Sequence, residues 1–281
     1  MAKPPDITGI SRFQTLSRSD PQFERDGVSC ATFYSSALAG RGDVSLFVPP
    51  EAKKAKNVPV AVLLHGAYGS HWDWFLQGGA HLTAAKLIAN GKIRPMILAC
   101  PSDGLRDFAT GYIPQRGANF EDWVCEDVVD LVSELHPCAG PTRTTFIAGL
   151  SMGGYGALRI GAKHASKFSA ISGHSSATGA HPLQRLAKDQ ASYNFNSKED
   201  LDIVYWAERN KAILPPLRFD CGRSDFLFEE NNALHARLKK AKVPHTYQVF
   251  AGAHDWPYWS THIRDTLVFF ESVLAGRVAK P

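Results

Sequence analysis

Apolar residues fall along the chain in runs of two kinds. "VPVAVLLHG" (58–66), "RPMILACPS" (94–102) and "RTTFIAGLS" (143–151) are short and continuous, as in strands buried on both faces of a parallel sheet. "FSAISGHS" (168–175), "LRFDCG" (217–222) and "HTYQVFAG" (245–252) predict further short strands. Between them the period lengthens. "HLTAAKLIANG" (81–91) is spaced as a helix and stopped by Asn90-Gly91. "FEDWVCEDVVDLVSELH" (120–136) sets Trp123, Val124, Val128, Leu131, Val132 and Leu135 on one helical face. "FEENNALHARLKKAK" (228–242) and "YWSTHIRDTLVFFESVLA" (258–275) predict two more helices. Ahead of all these, alternation in "CATFYSSAL" (30–38) and "DVSLFVPP" (43–50) predicts a hairpin turning at Gly40-Arg41-Gly42. The Arg41-Gly42-Asp43 triplet is read as part of that turn rather than as an adhesion motif.

Antiparallel strands followed by strand and helix in alternation predict an α/β fold. The expected core is a mostly parallel central sheet of about eight strands, flanked by helices on both faces. No repeat or low-complexity linker divides residues 1–281, so one domain is expected. Residues 1–27 read as an irregular lead-in. Residues 176–216, the longest stretch without a clear strand, read as a small cap over the sheet's carboxyl edge.

Composition removes several function classes. The net charge is +4, and the two basic runs, Lys53-Lys54-Ala55-Lys56 and Lys239-Lys240-Ala241-Lys242, are too short for a nucleic-acid footprint. Five cysteines, odd in number and without a CxxC pair, argue against a disulfide framework or zinc site and suit reduced thiols. The first residues, "MAKPPDITGISRF", hold no apolar core of a signal peptide, and no long uncharged apolar run could span a membrane. A cytoplasmic protein with a small-molecule substrate, no nucleic-acid partner and no membrane is expected; a homo-oligomer is compatible with the sequence.

The chemistry is carried by "GLSMGGYG" (149–156), where a buried strand meets a helix. Gly-x-Ser-x-Gly at such a junction is a nucleophile elbow, with the serine on a strained turn above the sheet. Ser151 needs a general base. Of eleven histidines, His81, His136, His164, His235 and His262 fall on predicted helices or their ends, and His245 opens a strand at its far end. His254, in "GAHDWPYW", follows a strand at its carboxyl edge; His174 does too but precedes every plausible acid. The acid partner is Asp225, one turn past "LRFDCG". Asp220 lies inside that strand, and Asp255 is too close to His254 for in-line support. Ser151, Asp225 and His254 keep the chain order of α/β-hydrolase triads. The oxyanion donors expected are the backbone N–H of Met152, next after the serine, and of Ala67 in "LLHGAYGSHWDW" (63–74). His65 and His71 in that loop lack the further ligands of a metal site, and His65 is read as a loop support.

These motifs, with "YIPQRGANFEDWVCEDV", "GLSMGGYGALRI" and "DCGRSDFLFEEN", resemble the Putative esterase family of α/β-hydrolases from about residue 28 to 275. The family includes short-chain tributyrin-type esterases, S-formylglutathione hydrolases, feruloyl and acetylxylan esterases and mycolyltransferases. The resemblance implies the α/β-hydrolase fold. It also implies a serine carboxylesterase working without metal or organic cofactor, with Ser151 as nucleophile, Asp225 as acid, His254 as base, and Ala67 and Met152 as oxyanion donors. "HDWPYW" is closer to the tributyrin-esterase and mycolyltransferase branch than to the thioesterases. Tyr112, Trp256 and Trp259 are the candidates to line the substrate pocket; for Trp256 and Trp259 anchoring of the last helix is the competing role, preferred for Trp259. The alternatives are a thioesterase, an acetyl or feruloyl esterase of carbohydrates, an acyltransferase, and a non-catalytic binding protein on the same fold.

Overall fold

The computed structural model describes residues 13–104, 109–140, 144–179 and 193–278. Among them nine strands form one sheet: β1 (Ser17–Arg18), β2 (Val28–Ser35), β3 (Gly40–Phe47), β4 (Val60–Leu64), β5 (Ile97–Pro101), β6 (Thr145–Leu150), β7 (Ala170–His174), β8 (Leu217–Gly222) and β9 (Thr246–Phe250). Their spatial order is β1-β2-β3-β5-β4-β6-β7-β8-β9. The pairs from β1 to β5 are antiparallel, and those from β5 through β4 to β9 are parallel. The ninth strand is β1, a two-residue edge within the expected lead-in, paired with Ala31 and Thr32 of β2.

The continuous apolar runs become the buried centre. Every residue of β4, β5 and β6 is buried. Because side chains alternate across a strand, Val60, Val62 and Leu64 of β4 join one core layer, whereas Ala61 and Leu63 join the other. The first layer is closed by α4 (Val128–Leu135) and α5 (Met152–Lys163), the second by α2 (Ala80–Ala89) and the closing helix α8 (Trp256–Leu274). A short α1 (Asp73–Leu76), α3 (Phe120–Asp122), α6 (Ile203–Arg209) and α7 (Phe228–Lys240) complete the described helices of α type.

Two expectations need correction. The hairpin does not turn at Gly40-Arg41-Gly42; it turns over Ser36–Ala39, where Ala39 N–H donates to Ser36 O at 3.2 Å and Ala39 takes φ 46°. The glycines belong to β3, and packing explains why: a Cβ on Gly42 would stand 2.6 Å from Cη2 of Trp123. Nor is 120–136 one regular helix. A π-helical turn at Trp123–Asp127 separates α3 from α4, at the residues anchored inward. Trp123 donates its Nε1–H to Ser102 O at 2.8 Å, and Asp127 accepts from Ser35 Oγ at 2.5 Å. Of the expected cap, residues 180–192 lie outside the described residues. The rest contains a 3₁₀ turn, Lys198–Leu201, and α6, both against the α5 side of the sheet.

Helix α5 is tied down by a charged cluster. Arg159, with no exposed side-chain surface, donates to Glu121 Oε1 at 2.6 Å and to the Tyr112 carbonyl at 3.0 Å. Lys163 and His164 also reach Glu121 Oε2, at 3.1 and 2.9 Å. Burial alone would raise the Glu121 carboxyl; the His164 bond and the Arg159 and Lys163 charges outweigh it and hold the group well below the usual carboxylate range. Truncating one partner of such a buried pair leaves an uncompensated charge. Glu121→Ala is therefore expected to cost about 3–5 kcal/mol in urea unfolding at pH 7. A depressed carboxyl stabilises above its unfolded value of 4.5 and loses that contribution as pH falls towards its folded value. The gap between wild type and Glu121→Ala should accordingly narrow when the titration is repeated in acid.

Candidate active site

The order β5-β4-β6 places a topological switch at β4, whose chain leaves towards β5 on one side while β6 flanks the other. Ligand crevices of open α/β sheets form at such points, outside the strands' carboxyl ends. Ser151 follows β6 there, and Gly66-Ala67 follows β4 beside it.

Ser151 occupies φ 53°, ψ −118°, a conformation that L-residues adopt only under constraint. The constraint is visible. Its N–H donates to His174 O at 2.9 Å, and its carbonyl accepts from Tyr155 and Ala177 N–H at 3.1 and 3.0 Å. A Cβ on Gly149 would lie 2.2 Å from Gly153 O, and one on Gly153 would lie 2.3 Å from Leu64 O. Both clashes are with backbone, so no side chain can move aside. The two glycines let the turn close on itself and on β4.

His254, on the loop between β9 and α8, brings Nε2 to 3.0 Å from Ser151 Oγ. Its Nδ1 lies 3.0 and 2.9 Å from Asp225 Oδ1 and Oδ2. A carboxylate can only accept, so Nδ1 carries the proton and Nε2 is left to accept from the serine hydroxyl. Asp225 closes a turn from Gly222 after β8, and its Oδ1 also accepts the Leu227 N–H at 2.8 Å. Burial works to raise this carboxyl, but the His254 bond and the Leu227 N–H prevail and hold it below its ordinary value. The acid and histidine loops are joined directly: Arg223 N–H donates to Phe250 O at 2.8 Å and Ser224 N–H to Gly252 O at 2.9 Å.

Met152 is the first residue of α5, so its N–H has no partner within the helix. Gly66 packs on the elbow, a Cβ there falling 3.4 Å from Ser151 Cβ. Among the described residues neither the Ala67 nor the Met152 N–H has an acceptor. His65 supports the loop, donating Nδ1–H to Gly66 O at 2.7 Å and accepting Asp103 N–H on Nε2 at 3.1 Å. His71 Nδ1 is bonded to Ser45 Oγ at 2.8 Å. Among the described residues no group of three His, Cys, Asp or Glu side chains could hold a metal ion.

The rejected candidates have structural partners. His174 is fully buried, with Nδ1 at 3.1 Å from Asp220 Oδ1 and Nε2 at 2.8 Å from Thr266 Oγ1. Asp255 caps α8, accepting Tyr258 N–H at 3.0 Å.

Ser151 and His254 open onto a pocket of about 420 Å³, within the range of small-ligand sites. Trp256 and Trp259 line it, and Trp259 also packs edge-on against His254 with ring centroids 5.0 Å apart. Tyr112 does not line it, which corrects the expectation from its motif. Its ring is wholly buried beneath α5, where a Cβ on Gly156 would meet its Cδ2 at 2.7 Å, and its hydroxyl donates to His65 O at 3.3 Å. Tyr112 props the β4 loop from below. Sequence reasoning missed Tyr68, Phe226, Leu227, Asp73 and Gln77 of the lining. Two of these stood next to residues already singled out: Tyr68 follows Ala67, and Phe226 follows Asp225. Phe226 is 76% exposed, with its ring 4.3 Å from that of His254.

The family described as Putative esterase matches residues 35–270 of the chain. An acetyl esterase of Caldicellulosiruptor saccharolyticus is 29% identical over 268 residues, which cover 86% of this chain and 97% of that protein. An S-formylglutathione hydrolase of Arabidopsis thaliana is 22% identical, over 83% of this chain and 88% of that protein. Among solved structures, a ferulic acid esterase superposes with a TM-score of 0.76 at 27% identity, covering 88% of this chain and 98% of that one. The elbow geometry carries its own test. Gly153→Ala is expected to cost about 2–3 kcal/mol in thermal unfolding, and to slow phosphonylation of Ser151 by a fluorophosphonate in the protein that remains folded.

Proposed function

This chain belongs to the Putative esterase family and has the α/β-hydrolase fold, and from that premise we propose that it is a serine carboxylesterase cleaving short-chain acyl esters through an acyl-enzyme on Ser151. The observation that carries the reading is the unbroken relay Ser151 Oγ, His254 Nε2, His254 Nδ1, Asp225 at the mouth of an otherwise largely apolar pocket.

Ser151 Oγ attacks the acyl carbon as its proton passes to His254 Nε2. Asp225, held ionised, stabilises the imidazolium without taking a proton. The Ala67 and Met152 N–H groups receive the oxyanion, each donor of such a pair being worth about 2.7–4 kcal/mol in the transition state. As the carbonyl reforms, the bond to the alcohol oxygen breaks and His254 returns its proton to that oxygen. Water then attacks the acyl-enzyme, giving a proton to His254, which hands it to Ser151 Oγ as the acid leaves.

The modest pocket volume and the likeness to an acetyl esterase support short acyl chains. The five free cysteines support a reducing, cytoplasmic setting, and no described helix is long and apolar enough to cross a membrane. The partner in this reading is a small ester, with no nucleic acid involved. Initial rates on p-nitrophenyl esters from acetyl to long acyl chains, beside S-formylglutathione, test it. Ser151→Ala should abolish turnover, and Asp225→Asn should lower kcat about 10⁴-fold by favouring the wrong tautomer. Near-normal rates in Ser151→Ala would overturn the assignment. Serine-dependent turnover of the thioester alone would make the enzyme a thioesterase.

A further inference from the structure

The pocket contains a polar group that the relay does not use. Asp73, the first residue of α1, lines the same pocket as Ser151 and His254 and is 5% exposed. Its Oδ1 is buried with no hydrogen-bond partner. Among the described residues no Lys or Arg forms an ion pair with it, and burial lifts its carboxyl above the ordinary value against the opposing pull of His65, the Ser70 backbone N–H and a side-chain hydrogen bond from Gln77. The side chain is also fixed in place. A Cβ on Gly69 would fall 2.3 Å from Asp73 Oδ2, so the carboxyl packs directly against the loop that carries Ala67. Native structures satisfy nearly all buried polar atoms, and an orphan in a binding pocket points to a partner the free protein lacks.

The surroundings narrow the chemistry of that partner. Leu150, Ala177 and Leu227 give the pocket apolar walls, and its polar side-chain groups besides Ser151, His254 and Asp73 are Gln77, at the C-terminal end of α1, the Tyr68 hydroxyl and the indole N–H groups of Trp256 and Trp259, that of Trp259 also buried without a partner. A carboxylate oxygen only accepts, whereas an amide can also donate. A hydroxyl matches both, donating to Asp73 and accepting from Gln77; an ammonium group cannot accept. We propose that Asp73 is a specificity-determining residue whose free oxygen accepts a hydrogen bond from a hydroxyl on the pocket-bound arm of the ester, making hydroxylated short-chain esters the preferred substrates over plain aliphatic ones. The substrate side of this inference rests on the esterase reading above.

Two matched pairs test it on the intact protein: p-nitrophenyl butyrate against p-nitrophenyl 3-hydroxybutyrate for the acyl arm, and propyl acetate against 3-hydroxypropyl acetate for the alcohol arm. The wild type should favour the hydroxylated member of one pair by about tenfold or more in kcat/KM, mostly through KM. Asp73→Leu should bring that ratio to about one, and Asp73→Asn, which keeps an acceptor oxygen, should retain most of it. A wild-type ratio near one in both pairs overturns the proposal whatever the variants do, and so does an undiminished ratio in Asp73→Leu. Should no ester be turned over, the product pairs, 3-hydroxybutyrate against butyrate and 1,3-propanediol against propanol, are titrated against the fluorescence of Trp256 and Trp259. Selective binding of a hydroxylated member that disappears in Asp73→Leu would uphold the role of Asp73 while the esterase reading falls; equal binding, or none, would overturn it.

Discussion

Backbone meets backbone at the carboxyl ends of β4 and β6, and the rest of the site is arranged around that contact. Gly153 lies so close to Leu64 O that no side chain could occupy its position. The approach fixes where α5 begins relative to β4. It therefore fixes Met152 and Ser151 relative to the loop that holds Ala67. Strain at Ser151 persists because hydrogen bonds to His174, Tyr155 and Ala177 hold the turn from three directions. Elsewhere the molecule prevents this contact from relaxing. Arg159 and Glu121 clamp α5 from outside, while Tyr112 supports His65 O from beneath.

Among the carboxylate–histidine pairs of the described residues, two lie on or just after neighbouring strands, and they show how context divides one motif between two roles. In each, Nδ1 faces an aspartate: Asp225 for His254, Asp220 for His174. What differs is the group at Nε2. For His174 it is Thr266 on α8, in a cluster where Arg218 also pairs with Asp220 and Tyr258 donates to it at 2.8 Å. That cluster joins β7, β8 and α8 with no open space for a reacting molecule. For His254 the group is a strained serine beside a cavity. The buried pair nevertheless serves the exposed one. His174 O accepts the Ser151 N–H, and Tyr258 fixes the start of the helix from which Trp259 packs on His254.

Legibility in the sequence followed the range of the physical signal. Strands β4, β5 and β6 were readable because burial on both faces forces unbroken apolar runs. The elbow was readable because two close backbone approaches require glycines at fixed spacing. The meeting of Ser151, Asp225 and His254 was legible from topology, since each follows its own strand at the carboxyl edge. The hairpin turn was misplaced because Gly42 answers to Trp123, a residue 81 positions away, and no local rule reports that contact. The π-turn was hidden for a related reason: an amphipathic pattern records which face is buried, and the anchors at Ser35 and Ser102 that coincide with the wider turn are remote in sequence.

The pocket was the least legible part, and the reason is geometric. Catalytic groups must meet reacting atoms within hydrogen-bond distance, which restricts them to a few loop positions after strands. Lining residues need only face the cavity, and they come from elements whose placement is set by tertiary packing. Asp73 and Gln77 belong to a one-turn helix whose position depends on Trp74 donating to Leu64 O at 3.0 Å and meeting Trp256 edge-on at 5.9 Å. In sequence, that aspartate looks like an ordinary helix N-terminal acid. Only after Trp74 and Trp256 have brought α1 against α8 does its carboxyl become part of the wall facing Ser151. The same sheet edge thus carries a hydrogen-bonded relay that its topology makes recognisable and a pocket wall that depends on how one short helix is packed.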